Sequence, residues 1–213
     1  MEYYRSEINR RRSGVLGGTF DPIHFGHLVV AEEVYAALEL DEMVFVPAGV
    51  PPHKPDRKIT PAEQRLAMVE LAIASNPHFR VSRVDIDRPG PSYTVDTLRL
   101  LREQWGEQTD IYFVIGWDSL EELLTWHDPA GILAQLAQLV AVQRPGHTEH
   151  AGYRDALEQR LPGIKERLQV VRVPQLDISA TDLRQRVKQG RPIKYQLPES
   201  VEQYIVEHGL YRE

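Results

Sequence analysis

The sequence predicts an α/β protein: a single Rossmann-like domain with a mainly parallel sheet, helices on both faces and further helices in its C-terminal part. Three observations carry that expectation. Short β-type runs alternate with helical segments along the whole chain, which is the order of a parallel sheet with right-handed crossovers. Residues 111–115 are continuously apolar, as in a central parallel strand buried on both faces. No repeat, low-complexity tract or linker interrupts residues 1–213, so one domain is expected.

Val15-Leu16-Gly17-Gly18 reads as the end of a buried strand, behind a lead-in segment over residues 1–12 in which Arg10-Arg11-Arg12 reads as a solvated run. A helix follows over residues 26–40, with Leu28, Ala31, Val34, Tyr35 and Leu38 at helical spacing. Residues 43–48 form the second strand, and 49–58 a Pro-rich, basic loop. Thr60-Pro61-Ala62-Glu63 has capping-box spacing with Pro at the first helical position, and opens a helix to residue 75. Residues 79–86 alternate like a strand; residues 92–105 read as a helix stopped by Gly106. After the strand at 111–115 come strands at 139–142 and 169–173, with a helix at 153–161 between them. Ser179, with Asp182 three residues on, caps a helix running to Gly190, and residues 198–208 form the last helix, stopped by Gly209.

Composition narrows the function classes. The formal charge is −6, from 25 Lys+Arg against 31 Asp+Glu, which argues against a general nucleic-acid binder. A small phosphorylated substrate needs only a few placed donors. The absence of cysteine removes disulfides, thiol catalysis and Cys-ligated zinc, and makes a cytoplasmic location the natural expectation. The N-terminal residues lack the apolar stretch of a secretory signal, and the greasiest region, 132–142, is too short to span a bilayer.

Two segments carry chemistry. The first is Gly17-Gly18-Thr19-Phe20-Asp21-Pro22-Ile23-His24-Phe25-Gly26-His27, where the first strand gives way to a helix. Glycine lets the backbone approach a bulky ligand, and the helix start turns its free N–H groups and positive end to the same place. His24 and His27, three apart, can both face that anion site and donate to phosphate oxygens. A Gly/Pro-rich turn with incidental histidines is the plain alternative; a zinc pair lacks a third ligand at useful spacing. The second segment is Ile178-Ser179-Ala180-Thr181-Asp182-Leu183-Arg184, where a capped helix start offers another phosphate cradle and Arg184 a bidentate donor.

Taken with these two boxes, nearly the whole chain resembles the bacterial nicotinate mononucleotide adenylyltransferases of the nucleotidylyltransferase superfamily. The resemblance implies transfer of an adenylyl group from ATP to nicotinate mononucleotide in NAD biosynthesis. It implies an ATP site made by Gly17, Gly18, Thr19, Phe20, His24, Gly26, His27, Gly116, Asp118, Ile178, Ser179, Thr181 and Arg184, with His24, His27 and Arg184 as the catalytic groups. It implies an acceptor site at Lys54, Thr94, Trp117, Trp126, His127 and Arg144, with Thr94 and the His127 amide at the nicotinate carboxylate and Trp126 stacked on the ring. Mg²⁺ would arrive with the ATP phosphates. Plainer roles stay open: Trp126 as a core aromatic, Trp117 as its rival for stacking, Asp118 as a helix cap, Lys54 and His53 as loop polarity. Ala180 departs from the second Ser of many relatives, and Trp117 is bulky where the family varies. A phosphopantetheine or polyol-phosphate nucleotidyltransferase and a non-catalytic nucleotide sensor are the alternatives. No nucleic-acid or membrane partner is expected, and a homo-oligomer stays open.

Overall fold

The computed structural model describes residues 10–52, 59–143 and 151–212. Six parallel strands form one sheet in the order β3-β2-β1-β4-β5-β6. They are β1 (Arg11–Gly18), β2 (Glu42–Pro47), β3 (Phe79–Val81), β4 (Thr109–Gly116), β5 (Gln138–Gln143) and β6 (Leu168–Arg172). The alternation of side chains along each strand divides the core in two. On one face Leu16, Phe45, Val114 and Val140 pack with α1 (Phe25–Ala37), α2 (Ala62–Ile73), α8 (Ala180–Lys188) and α9 (Glu199–Glu207). On the other, Val15, Val44, Phe113 and Leu139 pack with α3 (Thr94–Trp105), α4 (Trp117–Glu122), α5 (Pro129–Ala134), α6 (Tyr153–Arg160) and α7 (Ile164–Arg167). Both faces are covered, so the central strand β4 reads as an unbroken apolar run over residues 111–115.

Strand order reverses between β1 and β4, which places the crevice for ligands beyond their carboxyl ends. Several expected boundaries move. Arg11 and Arg12 belong to β1 rather than to a lead-in, and each has a partner: Glu42 Oε2 at 2.6 Å for Arg11, and the Tyr112 ring 5.2 Å below the Arg12 guanidinium. The strand expected over 79–86 ends at Val81, because Ile86 and Asp87 N–H groups turn back onto the Arg83 carbonyl. Thr60 does not cap α2: Pro61 is its N-cap, without a side-chain hydrogen bond, and the helix starts at Ala62. Ser179 does cap α8, its hydroxyl accepting from Asp182 N at 3.1 Å. The short helices α4, α5 and α7 are additions; each is too brief to show a full helical period in sequence.

Candidate active site

The first motif occupies the turn from β1 into α1, with His24 as the N-cap of the helix. Two of its glycines sit where side chains crowd the space a Cβ would take. One added at Gly26 would lie 2.9 Å from the His24 ring, and one at Gly18 3.0 Å from the Phe20 ring. Phe20 adopts φ +48°, a strained conformation for a bulky residue, and is held there by the edge of His27 at 5.1 Å and by Phe45 at 5.9 Å. The turn is thus shaped by packing beneath it.

His24 and His27 lie one above the other, with ring centroids 3.8 Å apart. The His24 backbone N–H donates to His27 Nδ1 at 3.3 Å. With Nδ1 accepting, the neutral His27 ring carries its proton on Nε2, and that N–H is the donor it can offer a ligand. Burial pushes the His27 pKa well below the ordinary histidine value, and the neighbouring His24 adds to the shift.

Beyond β1 and β4 the crevice has two lobes. The smaller, about 800 Å³, is lined by Thr19, Asp85, Ser92, Thr94, Trp126 and His127 among others. The larger, about 1540 Å³, is lined by His24, Gly26, His27, Gly116, Asp118 and Ser179 among others, with Ile178 beside Ser179. Gly17, Thr94, Phe113 and Trp126 line both, so the lobes join over the ends of β1 and β4. Thr94 is the first residue of α3, where backbone N–H groups have no intrahelical partner. Asp118 lies in the first turn of α4 but makes no capping hydrogen bond; Gly116 holds the N-cap position. Tyr93 stacks on His127 at 4.5 Å, and Asp128 beyond it caps α5 from a left-handed conformation, accepting from Gly131 N at 2.9 Å.

Not every expected residue is gathered there. Phe20, expected at ATP, is 2% exposed in the core and lines neither lobe. Trp117, expected at the acceptor, lines the larger lobe and not the smaller; its indole donates to Glu121 Oε1 at 3.2 Å and its ring rests on Tyr153. As the first residue of α4 it follows β4 directly and packs into the core, whereas Trp126 follows a 3₁₀ turn, Leu123–Thr125, and reaches the junction. Thr181 and Arg184 line an adjoining cavity of about 1030 Å³ instead of the larger lobe. Three residues apart, they share a helix face turned from Ser179. Arg184 donates to Thr181 Oγ1 at 3.0 Å and to the Asp21 carbonyl. Lys54 and Arg144, with His53, lie outside the described residues.

A brace of the site lies outside both sequence motifs. Arg65, 1% exposed, donates to the carbonyls of Thr60 at 2.8 Å, Thr19 at 2.8 Å, Ala48 at 2.7 Å and Gly49 at 3.2 Å. It therefore ties the loops after β1 and β2 to the segment that opens α2. Nearby, Asp21 is buried; its carboxylate accepts from the Tyr211 hydroxyl at 2.7 Å and from Thr60 N at 3.4 Å. A signal for Arg65 was present: it occupies the apolar stripe of α2 with Met68, Val69 and Ala72, where a cation must be satisfied internally.

Among the described residues, no group of three or more His, Cys, Asp or Glu side chains could hold a metal ion, and no helix is long and apolar enough to cross a membrane.

Comparison with known proteins agrees with this geometry. The cytidylyltransferase-like family model matches residues 15–186. A protein of Thermomicrobium roseum described as a probable nicotinate-nucleotide adenylyltransferase is 50% identical over 201 residues, covering 94% of this chain and 92% of its own. One of Roseiflexus sp. (strain RS-1) with the same description is 52% identical over 199 residues, covering 93% and 97%. The solved structure of Plasmodium falciparum nicotinic acid mononucleotide adenylyltransferase complexed with NaAD superposes with a TM-score of 0.74 at 17% identity, over 94% of this chain and 97% of that one. At that identity the likeness is one of fold.

Proposed function

Since the chain belongs to the nicotinate-nucleotide adenylyltransferases, within the cytidylyltransferase-like family, we propose that its two-lobed crevice joins ATP to nicotinate mononucleotide, giving deamido-NAD and pyrophosphate as a step of NAD biosynthesis. The observation that carries this reading is the junction of the lobes over Gly17, Thr94, Phe113 and Trp126, with His24 and His27 on one side of it. Two substrates laid in the two lobes would meet there. In our reading the larger lobe takes ATP and the smaller takes the mononucleotide.

The acceptor 5′-phosphate oxygen attacks the α-phosphorus of ATP; one P–O bond forms while the bond to pyrophosphate breaks. The nucleophile is already an anion, so the reaction asks the protein for alignment and charge stabilisation rather than for a strong base. The Nε2–H of His27 and the ring of His24 stand at the α1 N-terminus, where negative charge is favoured. We assign them to the ATP phosphates as charge shifts towards the leaving group. Gly17 and Gly26 supply the backbone surface of this cradle, whereas Gly18 and Thr19, expected at ATP, line the smaller lobe instead. Ser179 and the α8 N-terminus face the pyrophosphate end, with Ile178 beside them. Thr181 and Arg184 are assigned to it from the adjoining cavity, Arg184 through guanidinium N–H groups beyond the two that bind Thr181 and Asp21. Gly116 and Asp118 are assigned to the ATP ribose.

At the acceptor, Trp126 offers its indole face to the cationic pyridine, worth about 0.5–2 kcal/mol depending on desolvation. Thr94 and the His127 amide are donors and suit a carboxylate. Mg²⁺ fits the larger lobe as a companion of the ATP phosphates: with Asp118, the one carboxylate in that lining among the described residues, assigned to the ribose, it would be held by phosphate oxygens and water. When bound it neutralises phosphate charge. Residues 1–213 would act as one working unit in the cytoplasm, where a chain without cysteine meets no redox constraint.

The test is pyrophosphate release from ATP across acceptors: nicotinate mononucleotide, its amide counterpart and phosphopantetheine. We expect the acid to be preferred over the amide by about tenfold or more, because a carboxamide leaves a buried donor unsatisfied at roughly 1–3 kcal/mol. Equal turnover of acid and amide removes the nicotinate assignment. Phosphopantetheine as sole acceptor moves the chain to another branch of the family, and no release with any acceptor makes it a nucleotide sensor.

A further inference from the structure

The smaller lobe contains a charge that its proposed ligand does not obviously want. Among the described residues Asp85 is the one carboxylate in that lining. Nicotinate mononucleotide is anionic at both ends, phosphate and carboxylate, and each end calls for donors. A carboxylate facing either would repel it.

Asp85 is 5% exposed and firmly held. Its Oδ1 accepts from the Thr97 hydroxyl at 2.7 Å and from Arg88 Nε at 3.0 Å. The Arg88 ion pair balances the charge without Arg88 itself lining the lobe. Among the described residues, hydrogen bonds go to Oδ1 and none to Oδ2. The lobe therefore presents an anchored, electrically balanced acceptor oxygen. Phosphate and carboxylate cannot donate to it, and the pyridine cation gains little from a charge already paired. The part of the acceptor that can donate is the ribose, through its hydroxyl groups. Dinucleotide-binding sheets use an acidic side chain on a ribose hydroxyl for the same chemical reason.

We propose that Asp85 is a specificity-determining residue of the acceptor lobe: its Oδ2 accepts a hydrogen bond from a ribose hydroxyl of the mononucleotide, and so selects ribonucleotide over deoxyribonucleotide acceptors. Thr97 and Arg88 are positioning residues for it. The inference rests on the assignment of the smaller lobe to nicotinate mononucleotide.

The test removes the hydroxyl from the substrate first, leaving the protein untouched. Wild-type enzyme is assayed with nicotinate mononucleotide and with its 2′-deoxy and 3′-deoxy forms. A hydrogen bond to a charged group predicts a loss in kcat/KM of about 10- to 100-fold for one of the two. The same series is run on Asp85→Asn and Asp85→Ala. The ribonucleotide should fall towards the deoxy level and the deoxy penalty should shrink to within about threefold in Asp85→Ala, while the KM for ATP stays within about threefold. Thr97→Val, which keeps the carboxylate, should retain most of the penalty. An absent deoxy penalty in wild type overturns the inference even if neither Asp85 variant folds. So does a penalty of equal size in wild type and Asp85→Ala, which is also what a role at the pyridine cation would give. Failure of wild type to use the ribonucleotide at all is a different result, and sinks the parent assignment instead.

Discussion

At the scale of single residues, the histidine pair has the most chemistry on the least surface. Two imidazoles 3.8 Å apart at a helix N-terminus resist becoming imidazolium together, and burial of His27 adds to that resistance. Under the proposed function, the neutral His27 ring offers its Nε2–H to phosphate. Replacing His24 or His27 with Ala should lower kcat by about 10²–10³ with a much smaller change in mononucleotide binding, as measured by single-turnover kinetics and direct titration. Near-normal turnover in both variants would reduce the motif to a structural turn.

The same pair makes a prediction about stability. His27 takes up a proton more readily unfolded than folded, so below about pH 6.5, the ordinary histidine value, the unfolded chain binds more protons. Stability therefore rises with pH through the interval between the folded and unfolded pKa values, and is lost as pH falls through it. Urea midpoints of wild type and His27→Gln, compared from pH 7.5 downward on a scale of about half a pH unit, should converge as acid is added. Parallel curves would mean that His27 titrates in the fold as it does in the open chain.

At the scale of elements, Arg65 shows what a helix can do for loops it does not contain. Its guanidinium meets four carbonyls from three segments around the crevice, and loses all of them if truncated. Arg65→Met should destabilise the protein by about 1–3 kcal/mol, because it leaves buried carbonyls without their donor. Arg65→Lys should recover only part of this, because an ammonium cannot span the carbonyls as a planar fork does. Chemical denaturation of the three proteins measures both effects.

Legibility at this scale follows the physical source of each signal. The α1 and α8 starts were readable because a turn motif and a Ser cap are local, and β4 because burial on both faces leaves a continuous apolar run. The strand expected over 79–86 stops at Val81, because the apolar residues at 79 and 81 are followed by ones at 84 and 86, out of phase, where the backbone turns. Arg184 lies in the helix expected for it, but Ser179 is two residues from Thr181 and five from Arg184, spacings that do not keep a common side, so the three do not line one cavity. Asp85 and Tyr211 left no local trace. Arg88 lies only three residues from Asp85, but Thr97, the other partner of Asp85, and Asp21, the partner of Tyr211, come near only in the fold.

At the scale of the molecule, the crevice is held from a distance. Tyr211 donates its hydroxyl to Asp21, 190 residues earlier, and burial together with the Asp21 charge drives the phenol pKa upward, so the proton stays on the donor. Tyr211→Phe leaves a buried carboxylate oxygen short of one donor and should cost about 1–3 kcal/mol, seen as a lower Tm, together with a raised KM for ATP. An unchanged Tm would show that water replaces the hydroxyl without loss.

Asp21 also bears on how far the nucleotide turn can be treated as a portable part. Residues 17–27 contain the glycines, both histidines and the helix start, and look complete as a cassette. Three side chains that hold the cassette shut come from elsewhere: Arg65 on the Thr19 carbonyl, Arg184 on the Asp21 carbonyl and Tyr211 on the Asp21 carboxylate. A graft of the turn into another parallel sheet would carry the ligands of phosphate without their scaffold. The transplant that preserves its shape is the turn plus α2, α8 and the segment around Tyr211, which amounts to one whole face of the sheet.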